Sequence, residues 1–184
     1  MRRLAAAVLL SLSTITPAVV IAPEATAAVA CQRTLSSYPV LHPGARGPAV
    51  RALQCVLNDN HLGPVVVDGS YGSQTRAAVT RLESGFEGPA PHPGRVNNGY
   101  WTLLFGRRLP DHNLRQGDHG SSVVTLQRAL RAAGGTIAVD GQFGPQTRSV
   151  VKAYQRSNHL SQTGVVGSNT RFLLAMGAVI GAQN

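Results

Sequence analysis

Apolar side chains recur at a helical spacing in two places along the chain. In each place they stand at positions i, i+3 and i+7, which share one face of a helix with 3.6 residues per turn. A glutamine, Gln54 or Gln127, occupies position i+4 of the same face. The pattern predicts two amphipathic helices with buried stripes, formed by Val50, Leu53 and Leu57 and by Val123, Leu126 and Leu130.

Two further helices are predicted after each of these stripes. The second helix should begin beside Ser73 or Pro145, because serine is a favourable N-cap and proline suits the first helical turn. The third should begin near Asn98 or Ser168, which are both capping residue types. The predicted inward-facing residues are Thr75, Val79 and Leu82, then Trp101 and Leu104, in the first place, and Thr147, Val151 and Tyr154, then Phe172, Leu173 and Leu174, in the second.

Short runs of β-branched and apolar residues separate the first two helices in each place. Residues 65–67 and 137–139 are such runs, and each leads into an Asp-Gly dipeptide. Asp-Gly favours turns with a positive φ angle, which glycine adopts without steric cost. We therefore expect Gly69 and Gly141 to supply that backbone geometry.

The two places are copies of one unit. The spaced pattern of residues 41–57 recurs with every position displaced by 73, and that of residues 67–79 recurs displaced by 72. The sequence thus predicts a mainly α fold of two tandem small three-helix domains with short turn or β segments. The predicted boundaries are 1–30 for a signal peptide, 31–106 for repeat one, 107–113 for a linker, 114–176 for repeat two and 177–184 for a loosely held tail.

Residues 1–30 have the layout of a secretory signal peptide. Two arginines precede an uncharged, mainly apolar run over residues 4–22, and small residues follow. Cleavage after Ala27 or after Ala30 satisfies the small-x-small rule. The alternative is an uncleaved anchor, since the run is nearly long enough to span a bilayer. Pro17 and the small-residue exit favour cleavage, and we expect a secreted, extracellular or wall-associated protein.

Cys31 and Cys55 are the two cysteines of the chain. In an exported protein such a pair favours a disulfide, and closing a loop of this length stabilises the fold by about 3.5 kcal/mol on the chain-entropy model. Lipidation of Cys31 is the alternative, because cleavage after Ala30 makes it the first residue. The bacterial lipobox has leucine three positions earlier, where this chain has Ala28. Without a Cys-x-x-Cys motif, a sulfur-based zinc or redox site is excluded.

The chain is basic, with 17 Lys+Arg against 8 Asp+Glu and a formal charge of +9. Removal of residues 1–30 takes away two arginines and one glutamate and leaves +8, so the charge belongs to the folded part. Such a charge suits anionic partners, including anionic wall polymers. Nucleic acid is not an expected partner, since the arginines are dispersed and the chain is exported. Stable membrane insertion is not expected after signal cleavage.

The repeated motif resembles a known family. Gly-x-x-Gly-x-x-Val-x-x-Leu-Gln, then Asp-Gly-x-Phe/Tyr-Gly-x-x-Thr, then Gly-x-Val and a closing apolar helix is similar to the peptidoglycan-binding domain attached to bacterial cell-wall hydrolases. Two copies cover about residues 35–176. The resemblance implies a compact three-helix fold that holds peptidoglycan, the expected partner, without cleaving it.

Repeat one departs from the family pattern. Leu82 and Glu83 stand where the family has Phe/Tyr-Gln, which repeat two keeps as Tyr154 and Gln155. An inserted segment, residues 88–93, also lengthens the loop before its third helix. Two interpretations stay open, namely that repeat one binds more weakly or that it serves mainly as structural support.

The Asp-Gly turns carry the candidate ligand contacts. One interpretation is structural, with the glycines explained by turn geometry and the aromatic residues by packing. The other is a groove in which an aromatic ring stacks on a sugar while aspartate, glutamine and arginine meet hydroxyls, amides and carboxylates, arginine being suited to forked binding of carboxylate. The candidates are Asp68, Tyr71, Gln74 and Arg76 with their counterparts Asp140, Phe143, Gln146 and Arg148. Gln54 and Gln127, in contrast, are predicted to make structural hydrogen bonds.

Catalytic and metal-binding patterns are not found in the sequence. It has no Gly-x-Ser-x-Gly elbow and no glycine-rich phosphate loop, and its six histidines lack the i, i+4 spacing of a helical metal pair. No catalytic residue, metal or cofactor is therefore expected. The main hypothesis is a secreted, non-catalytic peptidoglycan-binding protein. The alternatives are an adaptor or inhibitor of another exported protein that uses residues 88–95, and a wall hydrolase with its site between the repeats.

Overall fold

The structure, a computed structural model, describes residues 31–181. The predicted signal peptide and the last three residues of the predicted tail lie outside this range. Within it the chain forms six α-helices and no β-sheet, as expected for two three-helix modules. The helices are α1 (Pro48–Asp59), α2 (Ser73–Glu83), α3 (Asn98–Gly106), α4 (Ser121–Ala132), α5 (Pro145–Ser157) and α6 (Ser168–Ala175).

The predicted inward-facing residues of the helices are buried, except in α6. The stripes of α1 and α4 are fully buried, and so are the inward-facing residues of α2 and α5. Phe172, however, is 63% exposed, whereas Leu174 is 0% exposed. Two positions along a helix correspond to a rotation of about 200°, so these two side chains point to opposite sides of α6. The prediction that Phe172 packs inward is wrong.

Glycine precedes most of the helices. Gly72 and Gly167 occupy the N-cap positions of α2 and α6, and neither helix has a side-chain cap. The expectation that a serine caps α2 is therefore wrong, because Ser73 is already the first helical residue. In α3 the cap is Asn97, whose side-chain oxygen accepts a hydrogen bond from the Tyr100 N–H at 3.2 Å.

The β-prone runs do not form strands. Among the described residues, β-pairing is limited to isolated antiparallel bridges, Leu41 with Val96 and Arg46 with Ser70 in repeat one, and Leu114 with Val166 and His119 with Gln142 in repeat two. The predicted turn geometry is confirmed, with φ of 75° at Gly69 and 74° at Gly141. In each repeat, the segment before the first helix therefore pairs with the turns that precede the second and third helices.

Helix α3 joins the two repeats. Its most extensive helix–helix contacts are with α4 and α6 of repeat two. Residues 101–106 are all buried, and an apolar helix that is buried on every side belongs inside a core. A Cβ atom added to Gly106 would lie 2.3 Å from the backbone carbonyl carbon of Leu174. The repeats therefore pack directly on each other across α3.

Residues 31–40, here called the N-terminal segment, contact both repeats. Cys31 is bonded to Cys55 of α1, with a Cα–Cα distance of 5.8 Å. In repeat two, the Arg128 guanidinium donates a hydrogen bond to the Thr34 hydroxyl at 2.8 Å. The predicted disulfide is present. Because that bond uses the sulfur atom of Cys31, this state is incompatible with a thioether lipid on the same atom.

The end of the described chain is packed, which corrects the prediction of a loose tail from Gly177. Val179 is 7% exposed, and the Ile180 N–H donates to the Ala133 carbonyl oxygen at 2.8 Å. The Gly181 N–H donates to the Ser157 hydroxyl at 2.8 Å. Residues 177–181 are therefore part of repeat two.

Candidate functional site

A buried glutamine organises the first turn of repeat one. Gln54 is 1% exposed, and its Nε2 donates to Asp68 Oδ1 at 2.7 Å, to the Ser70 carbonyl at 3.0 Å and to Thr75 Oγ1 at 3.1 Å. Its Oε1 accepts from the Gly69 N–H at 2.9 Å. We call this arrangement a glutamine network: a buried glutamine, the glycine turn that follows it and the threonine in the next helix. The network holds the turn against both helices. It also gives the buried amide the hydrogen-bond partners that it requires.

Repeat two contains the same network. Gln127 Nε2 donates to Asp140 Oδ1 at 2.7 Å, to the Gln142 carbonyl at 3.0 Å and to Thr147 Oγ1 at 3.2 Å. Its Oε1 accepts from the Gly141 N–H at 2.8 Å. The prediction that Gln54 and Gln127 make structural hydrogen bonds is confirmed.

A third network, which the sequence analysis missed, links α5 to α6. Gln155 Nε2 donates to Thr163 Oγ1 at 3.2 Å, to the Val165 carbonyl at 2.8 Å and to Thr170 Oγ1 at 3.2 Å, and its Oε1 accepts from the Gly164 N–H at 2.9 Å. The signal was present, because residues 163–171 repeat the Gly-x-x-Gly-Ser-x-Thr-Arg spacing of residues 68–76. In repeat one this motif precedes the second helix, whereas residues 163–171 precede and begin the third helix of repeat two.

Two of the candidate contact residues belong to the core. Tyr71 and Phe143 are each 2% exposed, and the Tyr71 hydroxyl donates to the Gly94 carbonyl at 2.7 Å. Neither ring presents a face to solvent, so the predicted stacking on a sugar is not available in this structure.

The other candidates lie at the surface. Asp68 and Gln74 line one groove of about 270 Å³, together with Val66, Ser70 and Ser73. Gln74 Oε1 accepts from the Val66 N–H at 3.2 Å, so this side chain spans the groove. Arg76, two residues further along α2, is also exposed. In repeat two the exposed counterparts are Asp140, Gln146 and Arg148.

The aspartates of both turns are held in the charged form. Hydrogen bonds from the Gln54 amide and then from the Ser70 N–H lower the pKa of Asp68. For Asp140 the Gln142 N–H and then the Gln127 amide lower the pKa. A hydrogen bond to a carboxylate stabilises its ionised form. Both turns therefore present a fixed negative charge at the surface.

The third network borders a second, larger groove of about 470 Å³. Its lining includes Thr163, Val165, Ser168 and Asn169, which occupy the places of Asp68, Ser70, Ser73 and Gln74 in the first groove. Thr163 thus replaces the aspartate, and its Oγ1 accepts from the Val165 N–H at 3.1 Å. The two grooves are therefore built alike, but the first has an aspartate where the second has an uncharged threonine.

Two searches of the described residues bear on other kinds of site. No group of three His, Cys, Asp or Glu side chains there is arranged to hold a metal ion. In the same part of the chain, no helix is long and apolar enough to cross a membrane.

The chain is similar to several known proteins. Residues 119–174 match the family model described as "Putative peptidoglycan binding domain". The chain is 27% identical over 171 residues to the N-acetylmuramoyl-L-alanine amidase CwlL of Bacillus licheniformis, covering 76% of this chain and 46% of the amidase. It is 31% identical over 123 residues to the amidase CwlM of Mycobacterium tuberculosis, covering 66% of this chain and 24% of that protein.

Solved structures give partial matches. A peptidoglycan-binding protein from Clostridioides difficile, in complex with glutamine hydroxamate, is 28% identical and covers 37% of this chain and 44% of its own, with a TM-score of 0.36. The chain spans less than half the length of the Bacillus licheniformis amidases that it matches. The family match coincides with α4, α5 and α6 and with the second and third glutamine networks. Residues 119–174 therefore form a domain of the peptidoglycan-binding family.

Proposed function

We propose that this protein is a secreted, non-catalytic protein that binds peptidoglycan in the bacterial cell wall through both repeats. One observation carries the extension to repeat one. The three hydrogen bonds that Gln127 donates in the family-matched repeat recur at Gln54 in repeat one, to equivalent acceptors and with distances within about 0.1 Å. A segment that reproduces the internal contacts of the domain presents its turn in the same way.

The proposed contact surface is the exposed edge of the two Asp-Gly turns. There the aspartates offer acceptors, and the glutamines offer amides, to hydroxyl and amide groups of the wall. These residues are Asp68 and Gln74 in repeat one and Asp140 and Gln146 in repeat two. Arg76 and Arg148 meet stem-peptide carboxylates, for which a guanidinium provides two parallel donors. The charge of +8 on the processed chain attracts the same carboxylates at longer range.

Co-sedimentation of residues 31–184 with purified sacculi, stripped of teichoic acids, tests the proposal. At about 1 M salt the Debye length is about 3 Å, so purely ionic adhesion is screened. We expect pelleting that resists salt, with no soluble muropeptides released in the same tubes. Release of muropeptides would overturn the non-catalytic assignment, and failure to pellet at low salt would overturn wall binding.

The contribution of each repeat is measured with Arg76→Gln, Arg148→Gln and the double variant. If both repeats engage one sacculus, each single variant loses the tethered second contact and its affinity falls by about tenfold or more. Arg156→Gln, an exposed arginine on α5, is the matched control. Small losses that are equal and independent would contradict cooperation between the repeats.

A further inference from the structure

A third groove lies where the two repeats meet. Its cavity of about 540 Å³ is bounded by the insertion that follows α2, by α3 and by the residues that follow α6. Its lining includes Phe86, Glu87, Tyr100, Leu103, Arg107 and Met176. We call this cavity the inter-repeat groove. It shares no lining residue with the two grooves beside the glutamine networks.

The floor and walls of the inter-repeat groove are fixed by close contacts. Phe86 meets Tyr100 edge to face, with ring centroids 5.6 Å apart, and the Tyr100 hydroxyl donates to Glu83 Oε1 at 3.0 Å. A Cβ atom on Gly177 would lie 2.6 Å from the Gly99 carbonyl oxygen, so the two repeats touch through backbone at the floor. The groove is therefore a built feature of the assembled pair and not of either repeat alone.

The lining combines apolar surface with two opposite charges. Phe86, Tyr100, Leu103 and Met176 supply the apolar walls, and Met176 is 62% exposed. Glu87 and Arg107 are both exposed at its rim. Within the described residues neither makes an ion pair, since the one salt bridge there joins Arg33 and Asp59. Both charges are free to meet a ligand.

We propose that the inter-repeat groove binds the stem peptide of peptidoglycan. This inference rests on the proposed function, because it assigns a second site for the same polymer. A stem peptide carries alanine methyl groups, free carboxylates and one amino group of its diamino acid. These groups complement the apolar walls, the Arg107 guanidinium and the Glu87 carboxylate, respectively. A glycan strand would instead require many hydrogen-bonding groups, which the mainly apolar walls do not offer.

The groove is specific to this chain. Phe86, Glu87 and Pro91 come from the longer loop of repeat one, which contains the inserted residues 88–93. The loop between α5 and α6 lacks this insertion, so repeat two has no equivalent wall. The loop that contains the insertion therefore forms one wall of the proposed peptide-binding groove, a role that the sequence alone does not indicate.

Titration calorimetry of residues 31–184, oxidised, with the synthetic peptide L-Ala–γ-D-Glu–L-Lys–D-Ala–D-Ala tests this inference. We expect binding, and a loss of affinity of about tenfold or more in Arg107→Gln, which removes a charge-assisted hydrogen bond. Met176→Gln should also weaken binding. Its matched control is Phe172→Gln, because Phe172, in α6 four residues before Met176, is 63% exposed but does not line the groove. Arg156→Gln is the control for Arg107→Gln.

Each outcome separates this inference from the proposed function. Sacculus pelleting by the wild type without peptide binding, or peptide affinity unchanged in Arg107→Gln and Met176→Gln, overturns the groove assignment and leaves wall binding intact. Loss of peptide affinity in those two variants, with Phe172→Gln and Arg156→Gln within about twofold of wild type, supports it. Failure to pellet sacculi overturns the proposed function, whatever the peptide shows.

Discussion

Glu83 in repeat one stands where Gln155 stands in repeat two. Glu83 Oε1 accepts from the Gly94 N–H at 2.8 Å, and Gln155 Oε1 accepts from the Gly164 N–H at 2.9 Å. The acceptor of the network is thus kept, but Glu83 has no amide to donate, and a tyrosine hydroxyl donates to it instead. The departure of repeat one from the family pattern is therefore a rebuilt turn rather than a lost one.

The glutamine networks should be a main source of stability. Gln127→Ala removes the oxygen that accepts from the buried Gly141 N–H, and it leaves that N–H unpaired. We expect the free energy of unfolding to fall by about 2–3 kcal/mol in urea denaturation. Gln142→Ala, an exposed amide in the same turn, should change it by about 0.5 kcal/mol or less. Equal effects of the two substitutions would contradict the network.

Two buried tyrosines should respond in opposite directions to loss of the hydroxyl. The Tyr154 hydroxyl is buried and has no partner among the described residues, whereas the Tyr71 hydroxyl donates to the Gly94 carbonyl. Tyr154→Phe should stabilise the protein by about 1 kcal/mol, and Tyr71→Phe should destabilise it by about 1 kcal/mol. Thermal or urea unfolding of the pair tests this, and the same sign for both would refute it.

Close packing between the repeats predicts an intolerant glycine. Gly106→Ala places a methyl group against the Leu174 backbone, which has to move. We expect a loss of about 1–3 kcal/mol, as for other overpacked cores. Gly85→Ala is the control, since its Cβ would make only an ordinary contact at 3.5 Å. Unfolding curves measure both, and a neutral Gly106→Ala would show that the repeats are not pressed together there.

Acid should destabilise the fold through its aspartates. A hydrogen bond from the Arg33 guanidinium lowers the pKa of Asp59, and the pKa values of Asp68 and Asp140 are lowered as well. A lowered folded-state pKa contributes stability above the unfolded value of about 3.9, and this contribution is lost as pH falls through the folded value. Urea unfolding at about pH 7, 4 and 2.5 should show a decline below about pH 4.

Arg33→Gln isolates the Asp59 share of that decline. Without the guanidinium the pKa of Asp59 should return towards its ordinary value, so the variant should lose less stability on acidification than the wild type does. Arg156→Gln should keep the wild-type pH profile. A steep acid decline that is identical in all three proteins would place its cause elsewhere.

Sequence reasoning recovered the repeats, the helices and the turns for physical reasons. A period of 3.6 residues marks a buried stripe, and a glycine after aspartate marks a positive φ angle. The roles of Tyr71 and Phe143 could not be predicted in this way, because an aromatic ring in a turn can either contact a ligand or pack in the core. Only the structure shows that both face inward.

The contact between the repeats was less accessible to sequence reasoning. The sequence analysis predicts only that Trp101 and Leu104 face inward, whereas residues 101–106 are all buried and a helix buried on every side needs a second partner. Caps were misplaced by one residue, because serine and glycine both suit the start of a helix. The grooves depend on loops from distant parts of the chain, and spacing alone does not bring such loops together.

The N-terminal segment sets an order in which the protein can become complete. Thr34 and Leu35 are held by Arg128 and Arg131, which lie 94 and 96 residues later in the chain. On a growing polypeptide Thr34 and Leu35 lack these partners until α4, the first helix of repeat two, has been made. The N-terminal segment is therefore expected to reach its final contacts only after repeat one is complete and repeat two has begun to form.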